Sequence, residues 1–135
     1  MSMRSREHIL FGSRNGLTGG HAPGTGLPFK TEFPVGVSHP KIIALVESVA
    51  RNPDRPPIGE DITRVRRDGS EWEERRWVCW GKREVEIKDQ DGSDIVGEID
   101  IKVVVAENGV IVTGHPLRGT GVMRNDQYGN PHPVE

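Results

Sequence analysis

One cysteine, Cys79, stands in a chain of 135 residues, and a lone thiol cannot close an intramolecular disulfide, so nothing requires an oxidising compartment. The opening stretch, MSMRSREHIL, lacks the apolar core of a secretory signal, and no run is long enough to span a bilayer. Apolar residues are sparse, at 33%. No internal repeat and no linker divides the chain, so a single domain over 1–135 is expected, of a size that folds without disulfide or metal staples. Cys79 itself reads as core, beside Trp77 and Trp80.

Glycine and proline are plentiful, at 17 and 10 residues, which points to long ordered loops rather than a low-complexity chain. Charge is uneven along the sequence. Residues 1–51 carry six Lys/Arg against three Asp/Glu, while the remainder carries twelve against seventeen. The net charge of −2 excludes a general nucleic-acid coat, yet an anionic ligand would prefer the first part.

Residues 1–60 read as a helical and glycine-rich loop part. As far as Gly36 there is no sustained period; Leu10, Phe11, Leu17 and Phe33 are spaced to pin loops, with a short helix around Arg4 to Leu10. SHPKIIALVESVARNP then places Ile42, Ile43, Leu45, Val46, Val49 and Ala50 on one helical face. Ser38 is the expected N-cap and Pro53 the stop.

From Asp61 the period changes to two. DITRVRRDGSEWEERRWVCW, KREVEIKDQDGSDIVGEIDIKVVV and ENGVIVTGHP contain strand-like runs, with Asp68-Gly69, Asp91-Gly92 and Asn108-Gly109 as turn dipeptides, so an antiparallel meander is expected over 61–118. Ile95, Ile99, Ile101, Val103 and Val105 share one face of its fourth strand, and Glu98, Asp100 and Lys102 the other, as when one side packs on a helix. Residues 119–135 read as a tail. The expected class is α+β, an N-terminal helical and loop part packed on a twisted antiparallel sheet.

GHAPGTGLPFKT nearly spells a phosphate loop from Gly24 to Thr31, but Phe29 occupies the second glycine position, Pro28 removes a donor and no strand leads in, which excludes a nucleoside-triphosphate cradle. A small anion nest of glycine N–H groups survives that objection. His8, His21, His39 and His115 show none of the close ligand spacing of a zinc site, and Cys79 has no C-x-x-C partner, so no metal is expected. There is no G-x-S-x-G nucleophile motif.

Two histidines remain. His8 and His21 flank the loop-rich, positively charged segment, where one neutral and one protonated imidazole could take a ribose 2′-hydroxyl proton and protonate a leaving 5′-oxygen. On composition alone, two ordinary surface histidines are the favoured reading. Thr113 and His115, two apart on the last strand with Ile111 beneath, add a hydroxyl and an imidazole on one face.

HILFG, GGHAPGTGLPFKTEFP, SHPKIIALVESVA and IDIKVVVAENGVIVTGHP resemble, in the same order, segments of the bacterial EndoU-like ribonuclease domains at the C-terminal tips of contact-dependent growth inhibition and other polymorphic toxins. The resemblance spans nearly the whole chain. It implies a barnase/EndoU-like fold and metal-independent transesterification of RNA, leaving 2′,3′-cyclic phosphate and 5′-hydroxyl ends. His8 and His21 match the two catalytic histidines, with acid and base unassigned. Lys30 and Lys41 compete for the catalytic lysine, Lys30 lying in the more distinctive motif. Thr113 and Pro116 match the terminal Thr-x-aromatic-Pro motif, with His115 in place of the aromatic; Phe29 replaces a usual glycine. Gly19, Gly20, Lys41 and His115 are the expected substrate-binding residues.

The implied partners are RNA, with transfer RNA a common target of such toxins, and a cognate immunity protein; no DNA, membrane or cofactor is expected. With His8 so near Met1, the chain resembles a toxin domain excised from a larger secreted or surface protein and acting in the target-cell cytoplasm. The alternative is a non-catalytic RNA- or protein-binding module on the same scaffold.

Overall fold

The computed structural model describes residues 1–13, 19–89 and 91–135; Leu17, read above as a loop anchor, lies outside them. The chain is α+β. Helix α1 (Met3–Phe11) leads through strand β1 (Thr31–Glu32) to helix α2 (His39–Arg51). Strands β2 (Ile58–Val65), β3 (Glu71–Lys88), β4 (Asp94–Ala106) and β5 (Ile111–Gly119) form an antiparallel meander in that order. The short strands β6 (Met123–Asn125) and β7 (Pro131–Pro133) complete a second sheet of order β1-β6-β7.

Ser38 caps α2 as its sequence dictates, its hydroxyl accepting the Lys41 N–H at 3.3 Å. Ile42, Ile43, Leu45, Val46 and Val49 are the helix's buried residues, and they pack with Cys79, Ile99, Ile101 and Val103 in the core. Two glycines bring α2 close to the sheet: a Cβ on Gly81 would lie 2.9 Å from Val49 Cγ2, and one on Gly114 would lie 2.7 Å from Val46 Cγ1. Gly81 does not interrupt β3, which runs unbroken for 18 residues.

The three hairpin turns share one design. In the first, the Gly69 N–H donates to the Arg66 carbonyl, the Arg66 N–H donates to the Ser70 carbonyl, and the Asp68 carboxylate accepts the Ser70 N–H at 2.9 Å. Asp91 and Asn108 do the same for Ser93 and Val110. Only the glycine of each dipeptide has positive φ, the pattern of a type I turn closed by a glycine bulge rather than of the tightest hairpins. Residues 119–135 are no loose tail: β6 pairs with both β1 and β7. Among the described residues no helix is long and apolar enough to cross a membrane.

Candidate active site

The side of the sheet away from α2 carries the polar row. Lys102 on β4 pairs in register with Trp80 on β3 and with His115 on β5, and Val104 pairs with Val78 and Thr113. Register shifts between Asp100 and Ile101 and between Val104 and Val105 mark bulges on β5, which leave Val112 and Leu117 without ladder partners and set Ile111 opposite Val105. Ile111 therefore packs against the core instead of lying beneath Thr113, since a bulge inverts the alternation of faces.

Helix α1 packs against β5 and presents His8 in its last turn. The following backbone is laced to that turn: Gly20 N–H donates to the His8 carbonyl at 3.0 Å, His21 N–H to Ile9 at 2.7 Å and Ala22 N–H to Leu10 at 3.0 Å. Glycine is required here. At Gly19 (φ +70°) a Cβ would run into the His8 carbonyl oxygen, and at Gly20 (φ +82°) into Leu27 Cδ1.

His8, Gly19, His21, Lys30, Thr113 and His115 line one open cavity of about 450 Å³, with Phe29, Thr31, Leu117 and Arg124. Five of the side chains singled out in the sequence thus converge from α1, the loop, the entry to β1 and β5. Gly20 lies behind this wall, holding the loop to α1. Lys41 is elsewhere: it lines a separate cavity with Glu84 and Glu86, because α2 lies over the face opposite Thr113 and His115. His39 packs edge-on against Phe11. Among the described residues no three His, Cys, Asp or Glu side chains converge as metal ligands would.

His21 is buried, at 6% exposure, and its Nδ1 lies 2.6 Å from the Thr31 carbonyl oxygen. A carbonyl only accepts, so Nδ1 carries the proton and Nε2 of the neutral ring is the acceptor. The His115 ring stacks on it, centroids 5.1 Å apart at 26°. Burial brings His21 down to a pKa of about 4, the Thr31 hydrogen bond opposing and Lys30 and His8 adding repulsion. His115 falls to about 3, through burial and then the charges of His21, Lys102 and Lys30. His8, half-buried, is lowered from 6.5 by burial and by Lys30.

The glycine nest is occupied by the protein's own anion. Glu32, buried at 6% exposure, accepts the Gly24 N–H at 2.7 Å, the Gly26 N–H at 3.0 Å, the Thr25 hydroxyl at 3.2 Å and the Asn125 amide at 2.6 Å. Those bonds outweigh burial and hold its carboxyl below the usual range. The loop that would cradle a phosphate instead wraps a side chain and anchors β1 to β6.

Several site features escape the sequence. Arg124 reaches the cavity because it pairs with Thr31 across β1 and β6, and it has no local motif. Phe29 takes φ +64°, left-handed backbone that favours glycine, and leaves its ring exposed at the rim. The Thr113 and Thr31 hydroxyls are buried without a hydrogen-bond partner among the described residues, two unsatisfied polar atoms within residues of the cavity wall. No protein-family model, no curated protein and no solved structure matches the chain, so a functional reading has to come from the residues of this cavity.

Proposed function

We propose that the cavity is the active site of a metal-independent endoribonuclease that cleaves RNA by transesterification. The observation that supports this best is the pairing of His21, whose Nδ1 proton is committed to Thr31, with the less buried His8 across one cavity that also holds Lys30 and Arg124. His21 Nε2 takes the proton of a 2′-hydroxyl as its oxygen attacks phosphorus; protonated His8 gives a proton to the departing 5′-oxygen. The products carry a 2′,3′-cyclic phosphate and a 5′-hydroxyl, with no water consumed. Lys30 and Arg124 offset the charge gathering on the phosphorane. The setting of a delivered toxin domain, acting on transfer RNA in a target cell and neutralised by an immunity protein, belongs to this proposal through the sequence resemblance alone.

The test is incubation of the purified chain with total cellular RNA in EDTA, followed by end-group analysis. Cyclic-phosphate fragments are expected; RNA retained by the protein without any product would favour the binding module instead. The pH profile of kcat/KM adds a second check. The rate should rise through about pH 4 as His21 loses its proton and fall again, as pH climbs further, when His8 loses its own at a pKa lowered from 6.5. A bound phosphodiester attracts the His8 proton, so the alkaline limb of kcat should sit at higher pH than that of kcat/KM.

Gly19→Ala tests the placement of His8. The methyl would meet the His8 carbonyl oxygen and lie 3.0 Å from its ring, and moving a catalytic group by about 1 Å costs about 100-fold in rate. Gly24→Ala has positive φ but open space around the new methyl, so a loss of about 1 kcal/mol in stability with cleavage retained is expected. Equal activities in the two variants would overturn the role given to Gly19.

A further inference from the structure

We infer that a second groove, centred on Trp80, binds a base and phosphate of the same RNA strand beside the cleaved linkage; this rests on the ribonuclease reading above. The groove, of about 540 Å³, is lined by Asp54, Arg55, Trp80, Lys82, Leu117 and Arg118 among others, and Leu117 also lines the histidine cavity. Leu117 is the residue left unpaired by the register shift on β5, so the same bulge that shapes the active site joins the two hollows. Trp80, Lys102 and His115 form one row across β3, β4 and β5, which sets Trp80 two strand spacings, about 10 Å, from His115.

The chemistry of the groove fits a single-stranded nucleotide. The Arg55 guanidinium carbon lies 4.1 Å from the centroid of the Trp80 ring, giving an aromatic and cationic platform on which any base can stack. Both acids are engaged: Asp54 accepts from the Lys82 N–H at 2.8 Å and Arg83 Nη1 at 2.9 Å, and Asp100 accepts from Arg118 Nε at 3.1 Å. The Lys82 ammonium forms an ion pair with exposed Glu98 at 4.0 Å and adds to the charge that steadies Asp54, surface contacts easily exchanged for a phosphate. An added β-strand does not fit, because the Asp54 N–H already donates to the Trp80 carbonyl.

The test measures anisotropy of a labelled ten-nucleotide mixed-sequence RNA with 2′-fluoro riboses, which lack the attacking hydroxyl, and cleavage of total RNA in EDTA in parallel. Trp80→Leu should raise Kd about tenfold, the worth of one base–aromatic stack. Trp80→Phe should restore binding, and Trp72→Leu, on the same face of β3 but toward the β2–β3 turn, should leave it unchanged. If Trp80→Leu does not fold, Arg55→Ala, an exposed position, should raise Kd about threefold. Wild-type cleavage with Kd unchanged in these groove variants would overturn the groove and leave the nuclease standing, as would equal weakening by Trp72→Leu. A wild-type chain that neither binds nor cleaves would overturn both.

Discussion

His21→Ala should reduce RNA cleavage by about 10²–10⁴-fold, the usual contribution of a positioned acid or base. Nothing else near His21 replaces its Nε2. His115, stacked on it, is neutral near pH 7 because of its own burial, but it lies on β5 and lacks the Thr31 bond that fixes the His21 tautomer. The alanine variant also carries a structural cost: the Thr31 carbonyl loses its donor, worth about 1–3 kcal/mol when buried, and the ring leaves a void against His115. His21→Asn is the companion variant, since its amide can restore a donor near Thr31 without an acceptor of imidazole basicity. Both should lose cyclic-phosphate production, with His21→Asn melting closer to wild type. Full cleavage by a folded variant would sink the assignment of His21 as base.

Much of the frame was legible in the sequence because it is written in local chemistry. Ser38 and the spacing from Ile42 to Val49 specify α2, and the three Asp/Asn-Gly dipeptides specify the hairpins of a meander. The same turn recurs between β6 and β7, where the Gly129 N–H donates to the Asp126 carbonyl and the Asp126 N–H to the Asn130 carbonyl. There two residues separate Asp126 from Gly129, so no dipeptide signals it, and strands of three residues show no period. In the site, Thr113 and His115 follow from the two-residue alternation of β5, and His8, His21 and Lys30 stand out in the sequence by the positively charged, loop-rich segment that carries them. Arg124 and Glu32 were not legible, because each acts through a pairing between segments about 90 residues apart. Lys41 was misplaced for the same reason: only the sheet's two faces separate it from the histidines.

Acidification should unfold this protein earlier than its carboxylates alone would require, and His115→Tyr should remove a large part of the effect. Both imidazoles of the stack, His21 buried and His115 half-buried, have folded pKa values, about 4 for His21 and about 3 for His115, below the 6.5 of an exposed ring. Between those values the unfolded chain binds more protons, so stability is complete above pH 6.5 and declines as pH falls toward 4 and then 3. A shift of that size is worth on the order of 3 kcal/mol per ring by pH 4, a large share of the 5–15 kcal/mol that typically holds a domain together. Glu32 adds to the loss at lower pH, from about 4.5 downward, where the carboxyl of the unfolded chain takes up a proton that the hydrogen-bonded folded carboxylate still resists, so most of the two contributions separates along the pH axis. Urea unfolding at intervals from pH 7.5 to 4.5 measures the imidazole contribution, to which His8, also lowered by burial and by Lys30, adds a share that is the same in both proteins. Wild type should lose stability steeply across that range, whereas His115→Tyr keeps an aromatic ring against His21, removes one of the titrating imidazoles and should show a distinctly shallower slope. Parallel slopes would mean that His115 is solvated enough to protonate in place. In that case the stacked pair would not be the neutral, desolvated unit on which the role of His21 as base depends.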